Sequence, residues 1–448
     1  MLNGDLAALT AEVQALSGVR ALGRVQGLRA GLVEVAGLGQ RCALGDRAEI
    51  ARRALPAIAA EVVRIGPEGA VLMPEAQPEG VRRGDGVRLI GPSSIAPHSG
   101  WIGRILDPDG RPLDGRPLLR GPVARAYATD PPPAARRRTL GARLETGLAV
   151  FNTALPLARG QRLGLFAGSG VGKSSLLGAL ARGVAADVVV VALVGERGRE
   201  LRQFTEEVLG AEGMRRAVVV TATSDRSALA RRRCAWAAMA VAEHFRDEGL
   251  HVLLLADSLT RFAEAHREVA LAAGEGAALR GHPPSLVPAL MALAERAGPG
   301  EEERAGDITA VFTVLVQGSD MEEPVADILR GALDGHVVLS RAIAERGRYP
   351  AVDLVRSVSR SLPTAANEAE NALIARLRQV LGTYDSAETM IRAGLYSAGS
   401  DAALDEAVRL WPRLDAFLSE PEPGNAATSF ARLAALLDGT TGEGAARG

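Results

Sequence analysis

A Gly-rich turn between an apolar run and a helical pattern carries the residues whose types and spacing are best suited to chemistry. Residues 162–177 read RLGLFAGSGVGKSSLL. The run Leu163–Ala167 is typical of a buried strand, and the pattern after the turn predicts a helix that begins near Lys173. In such a phosphate-binding loop the lysine reaches the β- and γ-phosphates of a nucleotide, and the hydroxyl of Ser174 ligates Mg²⁺.

The glycines of this turn give the loop its physical rationale. Gly168, Gly170 and Gly172 allow successive N–H groups to point inward, where they and the helix N-terminus can hold a polyphosphate. The strict pattern has Gly at position 167, where this chain has Ala. An alanine is tolerated there if its φ stays negative at the end of the strand. We therefore interpret the turn as a variant phosphate-binding loop rather than as a chance Gly-rich turn.

Two carboxylates follow other apolar runs and supply further parts of a site that could cleave a phosphoanhydride. Such a reaction needs charge neutralisation, a positioned water and a positive group near the transferring phosphoryl. Asp257 ends the run HVLLLAD, where a carboxylate can hold Mg²⁺ through its water shell and can also cap the next helix. Glu196 follows VVVVALV, at the end of a strand that faces the ligand crevice. We assign Glu196 to polarise the attacking water, with a surface salt bridge as the alternative.

A parallel sheet with helices between its strands is needed to position these residues. The predicted strands are Leu163–Ala167, Asp187–Val194, Ala217–Thr223, His251–Asp257, Asp307–Gln317 and His336–Leu339. Several of them are apolar throughout, as strands that are buried on both faces are. A helix is predicted over Ser224–Glu248, with Ser224 as its cap and Gly249 as its stop. The pattern therefore predicts an α/β nucleotide-binding domain.

The regions on either side of this domain have different patterns. From residue 19 to residue 92, short β-type runs separated by turns predict a small closed barrel. This region has no aromatic residue on which bases could stack, so we expect a structural or assembly role for it. Residues 103–114 are predicted to form a turn-dense connector, and residues 130–138, DPPPAARRR, an ordered linker whose arginines are solvated or paired. After Pro363 the chain reads as helices with a frayed tail.

The first seventeen residues place apolar side chains at steps of three and four residues, which is the spacing of one helix stripe. Such an amphipathic helix packs on its own domain or docks a partner. Both possibilities stay open on the pattern alone. We assign residues 1–18 to partner docking as a prediction.

The composition limits the function classes that the chain can serve. It has 448 residues, 47% of them hydrophobic, and a net charge of −1. It can therefore bury a large core, and no overall basic field draws it to nucleic acid. Cys42 and Cys234 are too few and too far apart for a disulfide framework or a zinc site. We also find no leader pattern, no apolar stretch long enough for a membrane span and no histidine spacing typical of a metal site.

Several longer motifs resemble the catalytic core of the rotary-ATPase-type hexameric ATPases. In chain order they are AGSGVGKS, VGERGRE, LLLADSLTRFAEAHRE, GHPPS, GDITAVFTVLV, DGHVVLSR and YPAVDLVRSVSR. Within that group the chain is most similar to the flagellum-specific protein-export ATPases, from about residue 23 to residue 418. The resemblance implies a RecA-like P-loop ATPase core with an N-terminal small β-barrel and a C-terminal helical domain.

The resemblance also implies roles for individual residues. The residues expected to bind the nucleotide are Gly168, Ser169, Gly170, Val171, Gly172, Lys173, Ser174, Ser175 and Tyr349. Those expected to act in catalysis are Lys173, Glu196, Arg197, Asp257, Arg261 and Arg360.

Among these residues, Tyr349 falls where the family stacks an aromatic ring on adenine. Arg197 and Arg261 would assist beside the phosphates, and Arg360 would be offered to the γ-phosphate in the neighbouring subunit. Ser174 and Asp257 would hold Mg²⁺, the latter through water. The chain departs from the family at Gln317 and Ser319, where relatives usually have acidic residues, so we assign that turn no catalytic role.

At the level of the assembly, the resemblance implies a homohexamer that hydrolyses ATP at subunit interfaces while it helps to feed flagellar subunits into a membrane-embedded export gate. One chain carries the loop, the glutamate and the arginine, so six equal copies can form six competent sites. The implied partners are a stator-like regulatory protein on residues 1–18, export chaperones with their substrates, and the gate. The implied location is the cytoplasm, peripherally at the inner membrane.

The expected division of the chain follows from the same resemblance. It comprises a partner-docking helix at 1–18, a barrel at 19–92, an ATPase domain with its connector at 93–362 and a helical domain at 363–448.

Four other functions stay open. The ATPase of a virulence injectisome shares every catalytic motif and differs in its partners. A rotary ATP synthase β-type subunit is disfavoured because this chain alone carries the complete set of motifs. An RNA translocase that resembles the transcription terminator would need a basic, aromatic RNA face. A nucleotide-binding scaffold without enzymatic activity predicts that Lys173→Ala costs nothing in function.

Overall fold

The first region of the computed structural model is a closed barrel of six antiparallel strands. The structure describes residues 10, 13, 20–67, 69–278, 280–301, 305–316, 321–422 and 424–439. The barrel strands are β1 (Leu22–Arg29), β2 (Leu32–Ala36), β3 (Arg47–Arg52), β4 (Leu55–Gly66), β5 (Gly69–Pro74) and β6 (Gly86–Gly91). Strand β1 pairs with both β2 and β6, which closes the order β1-β2-β5-β4-β3-β6. Alternate side chains such as Val25, Val33 and Leu72 fill the interior because successive strand residues face opposite sides.

A sheet of nine strands forms the centre of the molecule. The remaining strands are β7 (Ser94–Ile95), β8 (Arg104–Leu106), β9 (Arg125–Ala126), β10 (Arg162–Ala167), β11 (Val188–Val194), β12 (Ala217–Ala222), β13 (His251–Asp257), β14 (Gly298–Pro299), β15 (Asp307–Leu315), β16 (Gly335–Leu339) and β17 (Val352–Ser359). Strands β7 and β9 pair with each other, and the others follow the order β17-β16-β10-β15-β13-β11-β12-β8, with β14 paired to β15. All pairs along this path are parallel except β16 with β17.

Helices cover both faces of this sheet, as the doubly wound pattern requires. They are α1 (Ala149–Asn152), α2 (Lys173–Gly183), α3 (Gly198–Gln203), α4 (Gly210–Met214), α5 (Ala228–Asp247), α6 (Leu259–Ala272), α7 (Leu286–Arg296), α8 (Pro324–Ala332), α9 (Arg341–Glu345), α10 (Glu368–Arg392), α11 (Ala402–Phe417) and α12 (Ala426–Leu437). Alternate residues of β11 belong to two different core clusters: Val189 packs with α2 and the C-terminal helices, and Val190 packs with α5 to α8. The sheet is therefore buried on both faces, which confirms the predicted α/β class.

The last three helices form a bundle that joins the central core. Each begins at a polar cap: Asn367 for α10, Asp401 for α11 and Asn425 for α12. Asn367 and Glu370 form a reciprocal capping box, which satisfies two amides at the start of α10. Leu377 of α10 belongs to the same hydrophobic cluster as strand β10, so the helices are packed on the central sheet domain rather than set apart from it.

A buried ionic cluster connects the barrel to the sheet domain. Arg233 on α5 has a side chain only 1% exposed and pairs with Glu61 of β4 and with Glu75, the residue after β5. Arg47 of β3 pairs with Asp109 at 2.8 Å in the same cluster. Because buried charges are stable only when they are compensated, these contacts fix the barrel against α5.

The observed elements differ from the predictions in a few places. Helix α5 is capped by Ser227 rather than by Ser224, because the Ser227 side chain accepts the amide of Ala230. The connector at 103–114 contains strand β8, which pairs with β12 and extends the sheet. Strand β17 was not predicted at all. It pairs antiparallel at the edge of the sheet, and its residues Val355, Arg356 and Val358 are exposed, so it lacks the uninterrupted apolar run of its neighbours.

Other predictions on the flanking segments have mixed outcomes. The arginines of the Pro-rich linker are paired: Arg137 with Glu295 at 3.0 Å and Arg138 with Asp307 at 2.7 Å. Strand β15 ends at Leu315, and the turn with Gln317 and Ser319 lies outside the described residues. So does the predicted helix at 1–18 apart from positions 10 and 13.

Candidate nucleotide-binding site

The Gly-rich turn joins β10 to α2 at the carboxyl edge of the sheet. Gly170 and Gly172 have φ values of +76° and +86°, which side-chain-bearing residues rarely adopt. Gly172 is also the N-cap of α2, whose first residue is Lys173. Ala167 is buried at the end of β10 and is not among the described non-glycine residues with positive φ, so its methyl group causes no backbone strain. The turn therefore has the backbone of a phosphate-binding loop.

Three side chains from separate elements meet beside this loop. The Lys173 ammonium forms a close ion pair with Oδ1 of Asp257, and its Nζ lies 3.9 Å from Oε1 of Glu196. Thr313 of β15 donates a hydrogen bond to Oδ1 of Asp257 at 2.7 Å. These residues come together because β10, β15, β13 and β11 are consecutive in the parallel sheet and end at one edge. The sequence-predicted carboxylates and lysine are thus brought to one place.

The electrostatic environment of Glu196 suits a general base. Burial, a hydrogen bond with Glu200 and the nearby charge of Asp257 raise the pKa of Glu196 to about 8, while Lys173 opposes the shift. The same hydrogen bond lowers the pKa of Glu200. A carboxylate with a pKa near the working pH can accept a proton from water more readily than an ordinary glutamate can.

The two arginines expected beside the phosphates border this cluster. Arg197 precedes α3, is mostly exposed and pairs with Glu200 at 3.3 Å. Arg261 on α6 pairs with Glu264 at 2.8 Å and packs its aliphatic part close to Gly195, next to Glu196. Each guanidinium group is therefore held by a neighbouring glutamate, Glu200 for Arg197 and Glu264 for Arg261.

A cavity of about 440 Å³ opens beside the loop. Its lining includes Gly172 and Leu176 from the loop and α2, Leu148 before α1, and Tyr349 with Pro350. The ring of Tyr349 is half-exposed and lies against Gly172: a Cβ at that glycine would be 2.9 Å from Cδ1 of the tyrosine. A flat aromatic ring at the mouth of a largely apolar cavity is suited to stacking on a base.

Arg360 lies at the opposite edge of the sheet from the loop of its own chain. Its amide donates to the carbonyl of Asp334 at 2.9 Å, and the amide of Asp334 donates to that of Arg162, the first residue of β10. The loop begins after Ala167, the last residue of that strand, about 16 Å away at 3.3 Å per residue. Arg360 is exposed, and its guanidinium donates to the carbonyl of Arg330 at 3.3 Å. The structure does not bring Arg360 together with the other candidate residues of the same chain.

Comparison with known proteins gives the family. Residues 147–359 match the ATP synthase alpha/beta family, nucleotide-binding domain, and residues 366–435 match the T3SS EscN ATPase C-terminal domain. A flagellum-specific ATP synthase of Caulobacter vibrioides is 46% identical over 96% of this chain and 98% of its own length. The chain belongs to the family of flagellum-specific and type III secretion ATPases. As a member of this ATPase family it binds and hydrolyses ATP.

Further relatives of this ATPase family agree with that assignment. The flagellum-specific ATP synthase of Salmonella typhimurium is 42% identical, with 92% of each chain covered. The type 3 secretion system ATPase of Xanthomonas euvesicatoria is 41% identical over 92% of this chain and 93% of its own length. The solved structure of the assembled ATPase EscN from the enteropathogenic E. coli type III secretion system matches with a TM-score of 0.84 and 33% identity. The match covers 93% of this chain and 100% of the EscN chain.

Sequence reasoning missed two polar neighbours of the site in this family member. Thr313 lies inside an apolar strand, where nothing in the sequence distinguishes a threonine that contacts Asp257 from one that only fills space. Glu200 lies four residues after Glu196, and that short spacing was a signal that could have found it.

Among the described residues, no helix is long and apolar enough to cross a bilayer.

Proposed function

We propose that this chain is the ATP hydrolase of a flagellar type III protein export apparatus. In this proposal a homohexamer couples ATP hydrolysis to the delivery and unfolding of export substrates at the membrane export gate. The observation that carries the hydrolase part is the partly buried Glu196, with its raised pKa, beside the lysine of a phosphate-binding loop. The flagellar part is supported by relatives that bear the name flagellum-specific ATP synthase.

The residues of the site would divide the reaction as follows. Backbone amides from Gly168 to Ser175 would bind the phosphates, and Lys173 would leave its pairing with Asp257 to contact the β- and γ-oxygens. Glu196 would accept the proton of the attacking water. Arg197 and Arg261 would reduce the negative charge beside the phosphates once ATP competes with their present glutamate partners.

The donor set at the loop fits Mg²⁺. A hard cation of this kind keeps several waters and takes one or two protein oxygens together with phosphate oxygens. Ser174 is exposed at the first turn of α2, and the carboxylate of Asp257 lies at the adjacent strand end beside Lys173. When bound, Mg²⁺ would neutralise charge on the β- and γ-phosphates.

The placement of Arg360 supports the homohexameric part of the proposal. An arginine at the far edge of the sheet cannot serve the loop of its own chain, so it would serve the γ-phosphate of a neighbouring copy across an interface. The domain division at 1–18, 19–92, 93–362 and 363–448 belongs to the same proposal. A solved structure that is 33% identical to this chain is described as EscN in complex with its central stalk EscO. We propose a corresponding stalk partner, together with chaperones, the gate and a cytoplasmic, peripheral location.

A second candidate function is the ATPase of an injectisome. It is favoured by the similarity to the type 3 secretion system ATPase of Xanthomonas euvesicatoria. The two functions differ in partners, so expression of this chain in a strain that lacks its flagellar export ATPase separates them. Restored motility supports the flagellar assignment, whereas restored secretion only in an injectisome-deficient strain supports the second one.

The catalytic assignment is tested by Glu196→Gln in the full chain. The amide keeps the shape of the side chain but cannot accept the proton, so we expect near-normal ATP binding and a fall in kcat of about 100-fold or more. Binding is measured with a fluorescent ATP analogue and hydrolysis by phosphate release. Glu206→Gln, on the exposed surface of the segment after α3, is the matched control. Unchanged turnover in the Glu196 variant would show that Glu196 is not the general base.

A further inference from the structure

The turn that contains Tyr349 is stabilised by the buried side chain of the preceding residue, Arg348, which donates hydrogen bonds to backbone carbonyls. Arg348 is buried, and its guanidinium donates to the carbonyl of Pro350 at 3.2 Å and to that of Val352 at 2.7 Å. These two bonds fold the chain around Tyr349 and fix where the turn enters β17. The position of the tyrosine ring therefore depends on where the guanidinium of Arg348 is placed.

That guanidinium is tied to helix α11 of the C-terminal bundle. Nε of Arg348 forms an ion pair with Oδ1 of Asp415 at 3.0 Å, and the two side chains are 8% and 20% exposed. One turn earlier on the same face, Trp411 lies under the guanidinium of Arg346 at 5.3 Å from its ring centre. Trp411 also stacks on Tyr384 of α10 with ring centres 4.5 Å apart. Two arginines that precede Tyr349, Arg346 and Arg348, thus contact one face of the bundle.

Another lining residue of the cavity, Leu148, is attached to the end of the same helix. Leu148 forms a β-bridge with Pro421, just beyond α11. The amide of Ala149 donates to the carbonyl of Glu420 at 3.1 Å, and the amide of Glu422 donates to the carbonyl of Gly147 at 2.9 Å. Two lining residues of the cavity, Tyr349 and Leu148, are therefore attached to the C-terminal part of α11 and to the turn that follows it.

The bundle has other attachments that do not involve the cavity. Arg378 of α10 donates to the carbonyls of Leu354, Ser357 and Ala154 at 3.1 to 3.3 Å. Leu377 and Leu414 are buried in the central core cluster. Loss of the Asp415 pair would thus relax the turn at Tyr349 without detaching the helices.

We propose that Asp415 is a positioning residue for the base-binding side of the nucleotide site. Acting through Arg348, it holds the ring of Tyr349 in place at the cavity, where a purine base can stack on it. The inference rests on the proposed function, because it assumes that the cavity receives the base of ATP. It goes further by making base recognition depend on α11, while the phosphate-binding part of the loop does not depend on it.

This separation predicts a specific pattern in the kinetics of Asp415→Asn. We expect KM for ATP to rise by about three- to tenfold, because partial loss of a base-stacking contact weakens binding by that order. We expect kcat to change by less than about twofold, because the base does not take part in the chemical step. The inhibition constant of inorganic tripolyphosphate, a competitor without a base, should stay unchanged.

A double variant tests whether Asp415 acts through the tyrosine. Tyr349→Ala should raise KM for ATP by about tenfold or more. In Tyr349→Ala/Asp415→Asn the two effects should not multiply, because the ring that Asp415 positions is already absent. Glu406→Gln, which breaks the α10–α11 pair with Arg376 at 2.6 Å far from the cavity turn, is the matched control and should leave KM unchanged.

Several results would overturn the inference. An unchanged KM for ATP, an equal loss of ATP and tripolyphosphate affinity, or multiplication of the two effects would each contradict it. If Asp415→Asn does not fold, Arg348→Lys is tested instead. Lysine keeps the positive charge but lacks the planar guanidinium that contacts Asp415, Pro350 and Val352 together, so it must give the same ATP-specific rise in KM. Failure of the proposed function is a different result, because the wild-type chain would then not hydrolyse ATP at all.

Discussion

Glu196 and Asp257 show how two carboxylates beside one lysine acquire different properties. Asp257 is 4% exposed, pairs closely with Lys173 and accepts a hydrogen bond from Thr313, so its negative charge is well compensated. Glu196 lies farther from the lysine and shares a proton with Glu200, and burial disfavours its charged form. The first is suited to hold a cation and the second to exchange a proton.

The raised pKa of Glu196 gives a prediction about pH. The base must be deprotonated to act, and burial and Glu200 place its pKa at about 8. The value of kcat/KM, which reports the free enzyme, should therefore rise with pH and level off above that value. Glu200→Gln removes the charge that helps to raise this pKa, so the rising limb should move to lower pH.

The measurement is a pH profile of ATP hydrolysis for the wild type and for Glu200→Gln, at constant ionic strength. Glu206→Gln, which removes an exposed charge from the neighbouring segment, should leave the profile in place. A limb that moves to higher pH, or not at all, would contradict the proton-sharing pair.

At the scale of elements, the loop before α2 is constrained on two sides. Gly172 has a φ of +86°, and a Cβ there would press against Tyr349. Gly172→Ala should therefore weaken ATP binding by about tenfold or more, because it adds backbone strain and displaces the ring. Gly210 at the start of α4 also has a positive φ, but a Cβ added there would meet no atom within 4 Å. Gly210→Ala should lower stability without changing KM for ATP, and equal KM values in both variants would rule out the steric contact.

Much of the sheet could be predicted because its central strands are apolar on both faces. Strand β13 occurs as predicted at His251–Asp257, and β11 and β12 differ from their predictions by one residue at an end. Strand β8 has only three residues in a turn-rich segment, and β17 is a half-exposed edge, so neither has the periodicity that marks a strand. The predicted N-cap of α5 was also wrong, because several polar residues precede that helix and only the hydrogen bond from the Ala230 amide identifies Ser227 as the cap.

In the candidate site, too, residues fixed by local sequence patterns could be predicted, whereas contacts between distant segments could not. Lys173, Glu196 and Asp257 could be placed from sequence because each stands at a strand end or helix start whose position the local pattern fixes. The contact of Tyr349 with Gly172 joins segments far apart in the chain, and no local pattern encodes it. The position of Arg360 depends on the direction of the unpredicted β17.

For the whole molecule, the direction of β17 has the largest consequence. The strand runs antiparallel to the rest of the sheet, so its C-terminal end and Arg360 lie at the edge where the parallel strands begin. The phosphate-binding loop lies at the edge where they end. In the proposed function each copy therefore carries the two parts of a site at opposite ends of its sheet, and head-to-tail contacts that close into a ring would bring them together.

This arrangement predicts rescue between two inactive variants. Arg360→Ala and Lys173→Ala should each abolish hydrolysis when expressed alone. In a mixed ring, a site is complete wherever the Arg360 variant supplies the loop and an adjacent Lys173 variant supplies the arginine. Random mixing at equal amounts makes about a quarter of such interfaces complete, so activity should reach at most that fraction of the wild type.

The measurement is ATP hydrolysis by co-expressed, co-purified chains across a series of mixing ratios. Activity should be greatest near equal amounts and should vanish at both extremes, because a complete site needs one copy of each kind. The double variant Arg360→Ala/Lys173→Ala serves as the control partner: when mixed with either single variant it should restore nothing, since no pair of copies then offers both groups. Mixed rings that form but stay inactive at every ratio would show that Arg360 does not act across the interface.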